Sequence, residues 1–194
     1  MVELLFIGLS AALINNFVLS YFMGICPFLG VSKRLDAAFG MGAAVTFVMT
    51  ISGGLTFLLQ QYALNPLRLQ ILQYVAFIFV IAGTVQFVEL YVRRFFEPLY
   101  RAFGVYLPMI TTNCAVLGVC LLVWSKSYNT LAQALTFSFF GGAGFTLAIV
   151  IMAGLRESID FADVPRPLKG TPIALFVAAI LAMAFAGFAG MGSQ

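Results

Sequence analysis

The chain has 194 residues, of which 62% are hydrophobic and only 9% charged, with a formal net charge of +3. So few polar side chains cannot cover a water-soluble globule, and several apolar runs exceed the roughly 18 residues that mark a membrane-spanning helix. The basic residues are too few and too scattered for a nucleic-acid-binding stripe, and no polar stretch is long enough to form a soluble catalytic head. The expectation is an all-α integral membrane protein, a single transmembrane domain over 1–194, embedded in the lipid bilayer.

Six apolar segments are predicted, at about 3–31, 37–60, 70–92, 103–124, 130–155 and 171–191. The first begins MVELLFIGL, with Glu3 where a secretory signal would carry Lys or Arg, and reads as a retained span. As one straight helix its roughly 29 residues would reach ~43 Å, against a hydrocarbon core of about 30 Å. Asn15, Asn16 and Pro27 therefore predict a break. In the second segment FGMGAAVTF, from Phe39, supplies small side chains that let helices approach closely; FGGAGFT, from Phe140, does the same in the fifth, and Gly187, Gly190 and Gly192 at the end of the sixth. No strand precedes these glycines and no P-loop lysine follows, so packing accounts for them. The third segment ends FVELYVRR. In the fourth, Pro108, Thr111, Thr112 and Asn113 precede Cys114, which predicts a second break.

Basic residues assign the sides. Loops 1-2, 3-4 and 5-6 carry Lys33, Arg34, Arg93, Arg94, Arg101, Arg156, Arg166 and Lys169, whereas the opposite side has Arg68 and Lys126. The positive-inside rule places those three loops in the cytoplasm and both termini outside, which in a bacterial inner membrane is the periplasm. The halves also echo each other: CPFLGV from Cys26 and CAVLGV from Cys114, then Ser32-Lys33 and Ser125-Lys126, then the two glycine runs, then NPLR at Asn65 and RPLK at Arg166. Three spans per half is an odd number, so two such copies, about 1–100 and 101–194, would be inverted repeats with their broken first helices meeting near the midplane.

There is no histidine. Imidazole-ligated zinc, haem b and Rieske-type clusters are excluded, and thiolate is what remains for a metal. A cysteine in a membrane helix is ordinarily a small apolar filler. Cys120 keeps that reading: it lies six residues after Cys114, ~600° further round a helix, and so faces elsewhere. Cys26, within GICPF with Gly24 and Pro27, and Cys114, following Thr112 and Asn113, sit instead beside breaks where backbone amides are free to hydrogen-bond sulfur; Asn16 stands at the first break. An iron-sulfur cluster held by thiolates needs four, so two from this chain imply two from another.

At NNFVLSYFMGICPFLGVSK, LPMITTNCAVLGV, FVELYVRR and GLRESIDFADVPRPLKG, and over the whole chain, the sequence resembles the A-subunit family of the Rnf ion-translocating oxidoreductase, and less closely the related E-type membrane component of the sodium-pumping NADH:quinone oxidoreductase. The resemblance implies six helices in inverted repeats, with Cys26 and Cys114 holding one [2Fe-2S] cluster inside the membrane together with a homologous subunit of opposite topology. It further implies a non-catalytic electron-transfer subunit, relaying electrons between flavin- and iron-sulfur-bearing subunits on the two sides of the bilayer, with NADH and ferredoxin as the exchanging partners and Na+ or H+ moved. A small inverted-repeat permease is the alternative, with Asn15, Asn16, Thr111, Thr112 and Asn113 lining a solute site. Against it, Glu89, Glu157, Asp160 and Asp163 fall near the cytoplasmic ends and leave no carboxylate at mid-depth for a coupling cation. A purely structural role would leave both cysteine contexts unexplained.

Overall fold

The computed structural model describes residues 2–14, 16–64, 73–95, 113–126, 128, 130–160, 165 and 169–189. These are helical almost throughout: α1 (Val2–Leu9, continued by a π-helical turn, Ser10–Ile14), α2 (Ile25–Val31), α3 (Leu35–Leu59, continued by a π turn, Gln60–Leu64), α4 (Gln73–Phe95), α5 (Cys114–Ser125), α6 (Leu131–Asp160) and α7 (Thr171–Ala189). Among the described residues Leu35–Tyr62, Gln73–Leu90 and Leu131–Ile159 are long and apolar enough to cross a membrane, and Cys114–Ser125 and Thr171–Gly187 are shorter apolar helices.

The centre is the antiparallel crossing of α3 and α6. Gly42 lies against Thr146 and Gly142 against Thr46, so that a Cβ added to Gly142 would come within 2.6 Å of the Thr46 Cα. Further along, Gly53 faces Ser138 and Gly54 faces Leu135. Without Cβ atoms at these places the backbones pack closely, which is how helices associate where lipid tails remove any hydrophobic drive. The Thr46 and Thr146 hydroxyls stand 3.1 Å apart at the crossing, and each also lies within donating distance of the carbonyl four residues back, on Gly42 and Gly142. The glycine runs of the second and fifth segments, read from the sequence as helix contacts, are therefore the contact itself, whereas Gly187 in α7 has open space around it and Gly190 and Gly192 lie outside the described residues. α1 runs parallel to α6 on another side, with Gly8 against Phe140 and Ala12 against Gly144. Outward-facing Phe39, Phe47, Phe79, Phe87 and Phe139 are exposed, as befits a surface solvated by lipid.

The predicted break in the first segment is present. After Ile14 the helix stops; residues 16–24 are irregular, and Asn16 satisfies the freed backbone. Its Oδ1 accepts from the Val18 and Leu19 N–H groups at 3.1 and 3.3 Å, and its Nδ2 donates to the Ala12 and Gly144 carbonyls at 3.2 and 2.9 Å. Pro27 acts differently from the expectation that it breaks the helix. It lies in the first turn of α2, where a missing N–H costs nothing, and so starts the second half-helix. Two boundaries also shift: α4 continues to Phe95 and α6 to Asp160, taking Arg93, Arg94, Arg156 and Glu157 out of the loops and into helices. Of segment four, only the part from Asn113 is described; Pro108, Thr111 and Thr112, like Asn15 in the first segment, lie outside the described residues.

Candidate functional site

Two helix starts form the site. At the first, Gly24 is the residue before α2 and has φ +81°, a left-handed conformation that glycine adopts without penalty. Phe22, two residues earlier, is the non-glycine residue with positive φ, +55°, so the chain turns twice within three residues to enter α2. Cys26 then lies in the first turn, and its thiol is exposed.

At the second start, Asn113 caps α5: its Oδ1 accepts from the Ala115 N–H at 3.0 Å, the bond that favours asparagine at this position. Cys114 is the first residue of the helix, and its thiol is also exposed. It lies at the positive end of a 12-residue helix dipole, where an anionic group is favourably placed. The opposite side of α5, with Val116, Val119, Cys120 and Val123, is buried in the core. Cys120 thus faces away from Cys114 and is enclosed, as its spacing predicts.

These starts meet. A Cβ placed on Gly24 would come to 2.9 Å from Asn113 Oδ1, 3.1 Å from Ala115 Cβ and 3.0 Å from the Phe145 ring on α6. Cys26 and Cys114, 88 positions apart in the chain, therefore lie on adjoining helix starts, with the Phe145 ring of α6 beside the Gly24 turn. Among the described residues there is no group of three or more His, Cys, Asp or Glu that could hold a metal ion. Two cysteines would make half the ligand set of a four-thiolate cluster, and Asn113, whose Oδ1 lies beside Gly24, carries in its Nδ2 a buried donor without a hydrogen-bond partner among the described residues.

Of the residues singled out from the sequence, Cys26, Gly24, Asn113 and Cys114 come together, with buried Pro27 in the adjoining turn. Asn16 packs on the same part of α6, but its polar atoms are committed to the backbone of the break. Sequence reasoning missed Arg156. From α6 its Nη1 donates to the Leu29 carbonyl at 2.8 Å and to Ser32 Oγ at 2.9 Å, clamping the far end of the α2 half-helix. A guanidinium at a helix C-terminus meets both the unpaired carbonyls and the negative end of the dipole. The signal available in sequence was an arginine just past an apolar run, which reads equally well as a loop charge.

Residues 4–192 match the family described as Rnf-Nqr subunit, membrane protein. The chain belongs to this family. Among individual Rnf-Nqr relatives, the A subunit of the ion-translocating oxidoreductase complex of Syntrophotalea carbinolica is 52% identical over 98% of either chain. The A subunit of the Na(+)-translocating ferredoxin:NAD(+) oxidoreductase complex of Acetobacterium woodii is 53% identical over 97% of either chain. The A subunit of the ion-translocating oxidoreductase complex of Vibrio cholerae is 46% identical over 98% of either. The chain thus runs essentially the full length of these Rnf-Nqr proteins, and the apolar helices described above are those of a membrane protein.

Proposed function

We propose that this chain is the membrane electron-relay subunit of an Rnf-type ion-translocating oxidoreductase, sharing an intramembrane [2Fe-2S] cluster with a homologous subunit. The observation that carries the reading is the meeting of two helix starts, Gly24 against Asn113 and Ala115, each start bearing an exposed cysteine, Cys26 or Cys114, in an apolar protein. Full-length similarity to the A subunits of ion-translocating oxidoreductases supports the complex to which it would belong. Cys26 and Cys114 would hold the cluster from this side, and the bound cluster would supply a one-electron store in the interior of the bilayer. The chain's own residues bring the two helix starts together, set Phe145 and Ala115 beside the Gly24 turn, and leave the thiols exposed toward a partner.

That partner would be the homologous membrane subunit of opposite topology, contributing the other two thiolates, with flavin- and iron-sulfur-bearing subunits completing the complex. Exposed Tyr21 and Phe22, next to the turn into α2, give such a partner apolar surface to cover. Six spans in inverted repeats, with both termini periplasmic, complete the proposal; the reciprocal seating of Gly42 on Thr146 and Gly142 on Thr46 supports a two-fold relation between the halves. Of the residues that would line a solute site in the permease alternative, Asn16 has committed both its oxygen and its amide to backbone partners.

The deciding experiment is co-purification with the homologous subunit, followed by iron analysis and electron paramagnetic resonance. About two iron atoms per heterodimer and a [2Fe-2S] signal are expected. A colourless heterodimer that still supports electron transfer would refute the relay. For topology, cysteines engineered near Lys33 should be shielded from an impermeant thiol reagent in intact cells, and one at Gln194 should label.

A further inference from the structure

Asn113 is 5% exposed, and its two side-chain ends have different fates. The end that meets the Ala115 N–H at 3.0 Å must be the oxygen, since a donor needs an acceptor, and this fixes the orientation of the carboxamide. Its nitrogen is then a buried double donor with no partner among the described residues. Leaving such a donor unpaired costs ~1–3 kcal/mol. Most buried polar groups are paired, and among the described residues Ser52 Oγ and Gln73 Nε2 share the condition of Asn113 Nδ2, but neither belongs to a residue at a cysteine-bearing helix start. The contrast with Asn16 is direct, because that amide donates to two carbonyls.

The place of this orphan donor indicates its acceptor. The carboxamide fills the gap between the helix starts, with its oxygen 2.9 Å from where a Gly24 Cβ would be; Cys114 is the next residue, and Cys26 follows Gly24 by two. Both helix starts carry an exposed cysteine, so a centre held by their sulfurs would bring acceptors to this corner. An N–H donated to a sulfur withdraws charge from it and favours the more negative, reduced state, so it raises the reduction potential.

We propose that the Asn113 side-chain amide donates a hydrogen bond to the sulfur of the centre held at Cys26 and Cys114, and thereby sets its reduction potential while its oxygen caps α5. This rests on the cluster reading above. It assigns one residue two tasks, and the tasks can be separated: serine keeps a capping oxygen and lacks the amide arm, and aspartate keeps the shape and the cap but replaces the donor by a charged acceptor.

The test is a redox titration of the assembled complex monitored by electron paramagnetic resonance, with iron content measured in parallel, for wild type, Asn113→Ser and Asn113→Asp. Iron should stay at the wild-type level in both variants. The reduction equilibrium should move about tenfold toward the oxidised form in Asn113→Ser, which is about 59 mV for a one-electron couple. It should move further in Asn113→Asp, where a negative charge joins the site. The serine variant decides if it retains iron; if it does not, the isosteric aspartate variant decides. A potential within twofold of wild type in the deciding variant, or loss of iron from both, overturns the proposal and leaves Asn113 a helix cap. A wild-type complex without an iron-sulfur signal refutes the cluster reading instead, so the two failures are distinguishable.

Discussion

The two cysteine corners are built by opposite means. Cys114 starts a 12-residue helix that carries its own asparagine cap and roots Val116, Val119 and Val123 in the core. Cys26 sits in the first turn of a 7-residue helix with no side-chain cap, entered through left-handed Gly24 and held at its far end by Arg156 from α6. A helix of two turns is not stable by itself, so its order comes from contacts with other elements. The lesson is that two cysteines in equivalent positions need not have equivalent supports: one is placed by local sequence, the other by distant residues.

The largest expected effect erases this difference. Cys26→Ser and Cys114→Ser should each remove essentially all cluster iron and signal from the complex, because a serine oxygen is a poor substitute for thiolate on iron however its helix is held. Cys120→Ala should retain iron, since that thiol is buried away from the site. Full iron in either serine variant would sink the assignment.

Next comes the entry to the weaker corner. Gly24→Ala forces a side chain into a left-handed backbone at roughly 1–2 kcal/mol and also drives its Cβ toward Asn113 Oδ1, Phe145 and Ala115. We expect reduced iron and a lower thermal midpoint of the complex. Gly118→Ala on α5 is the comparison. The three atoms nearest its Cβ would all belong to the Met23 side chain, sulfur first, and that flexible chain can swing aside, so the loss should be smaller. Equal losses would break the contrast between the corners.

Much of this was legible in the sequence, and what was not has a physical cause. Apolar run length marked the long apolar helices, and the excess length of the first run with Asn16 marked the break, because both are local facts, whereas Pro27 proved to start α2 and not to break it. The small residues at Gly42 and Gly142 marked the α3–α6 contact, but not its register, since the echo at Phe39 and Phe140 says nothing about which residue faces which. The bonds that hold the site are between residues far apart in the chain: Asn16 reaches Gly144, and Arg156 reaches Leu29. Periodicity reports a helix's own faces, not the identity of its neighbours, so Arg156 read as a loop charge.

Arg156 separates the corners more finely. Arg156→Leu removes charge-assisted bonds worth about 1.5–3 kcal/mol and frees the C-terminal carbonyls of α2. Amide exchange should accelerate in 25–31 and stay unchanged in 114–125, with Arg156→Lys intermediate because it keeps the charge at the helix end. Faster exchange in both helices would mean that α6 itself had shifted, and the clamp would lose its specificity.

The smallest effect tests whether the clamp is one unit. Ser32 is fully buried at the C-terminus of α2 and accepts from Arg156 at 2.9 Å, alongside the Leu29 carbonyl at 2.8 Å. Ser32→Ala removes one of these two acceptors and leaves the other, so the cost should be about 1 kcal/mol, seen as modestly faster exchange in α2 with iron content unchanged. In an Arg156→Leu background the same substitution has no guanidinium to lose and should add almost nothing. Non-additivity of this kind is the signature of a shared interaction, whereas two distant, independent sites would add. Additive losses would mean that Ser32 steadies α2 through its turn alone, and that the Cys26 corner rests on Arg156 and Leu29 without it.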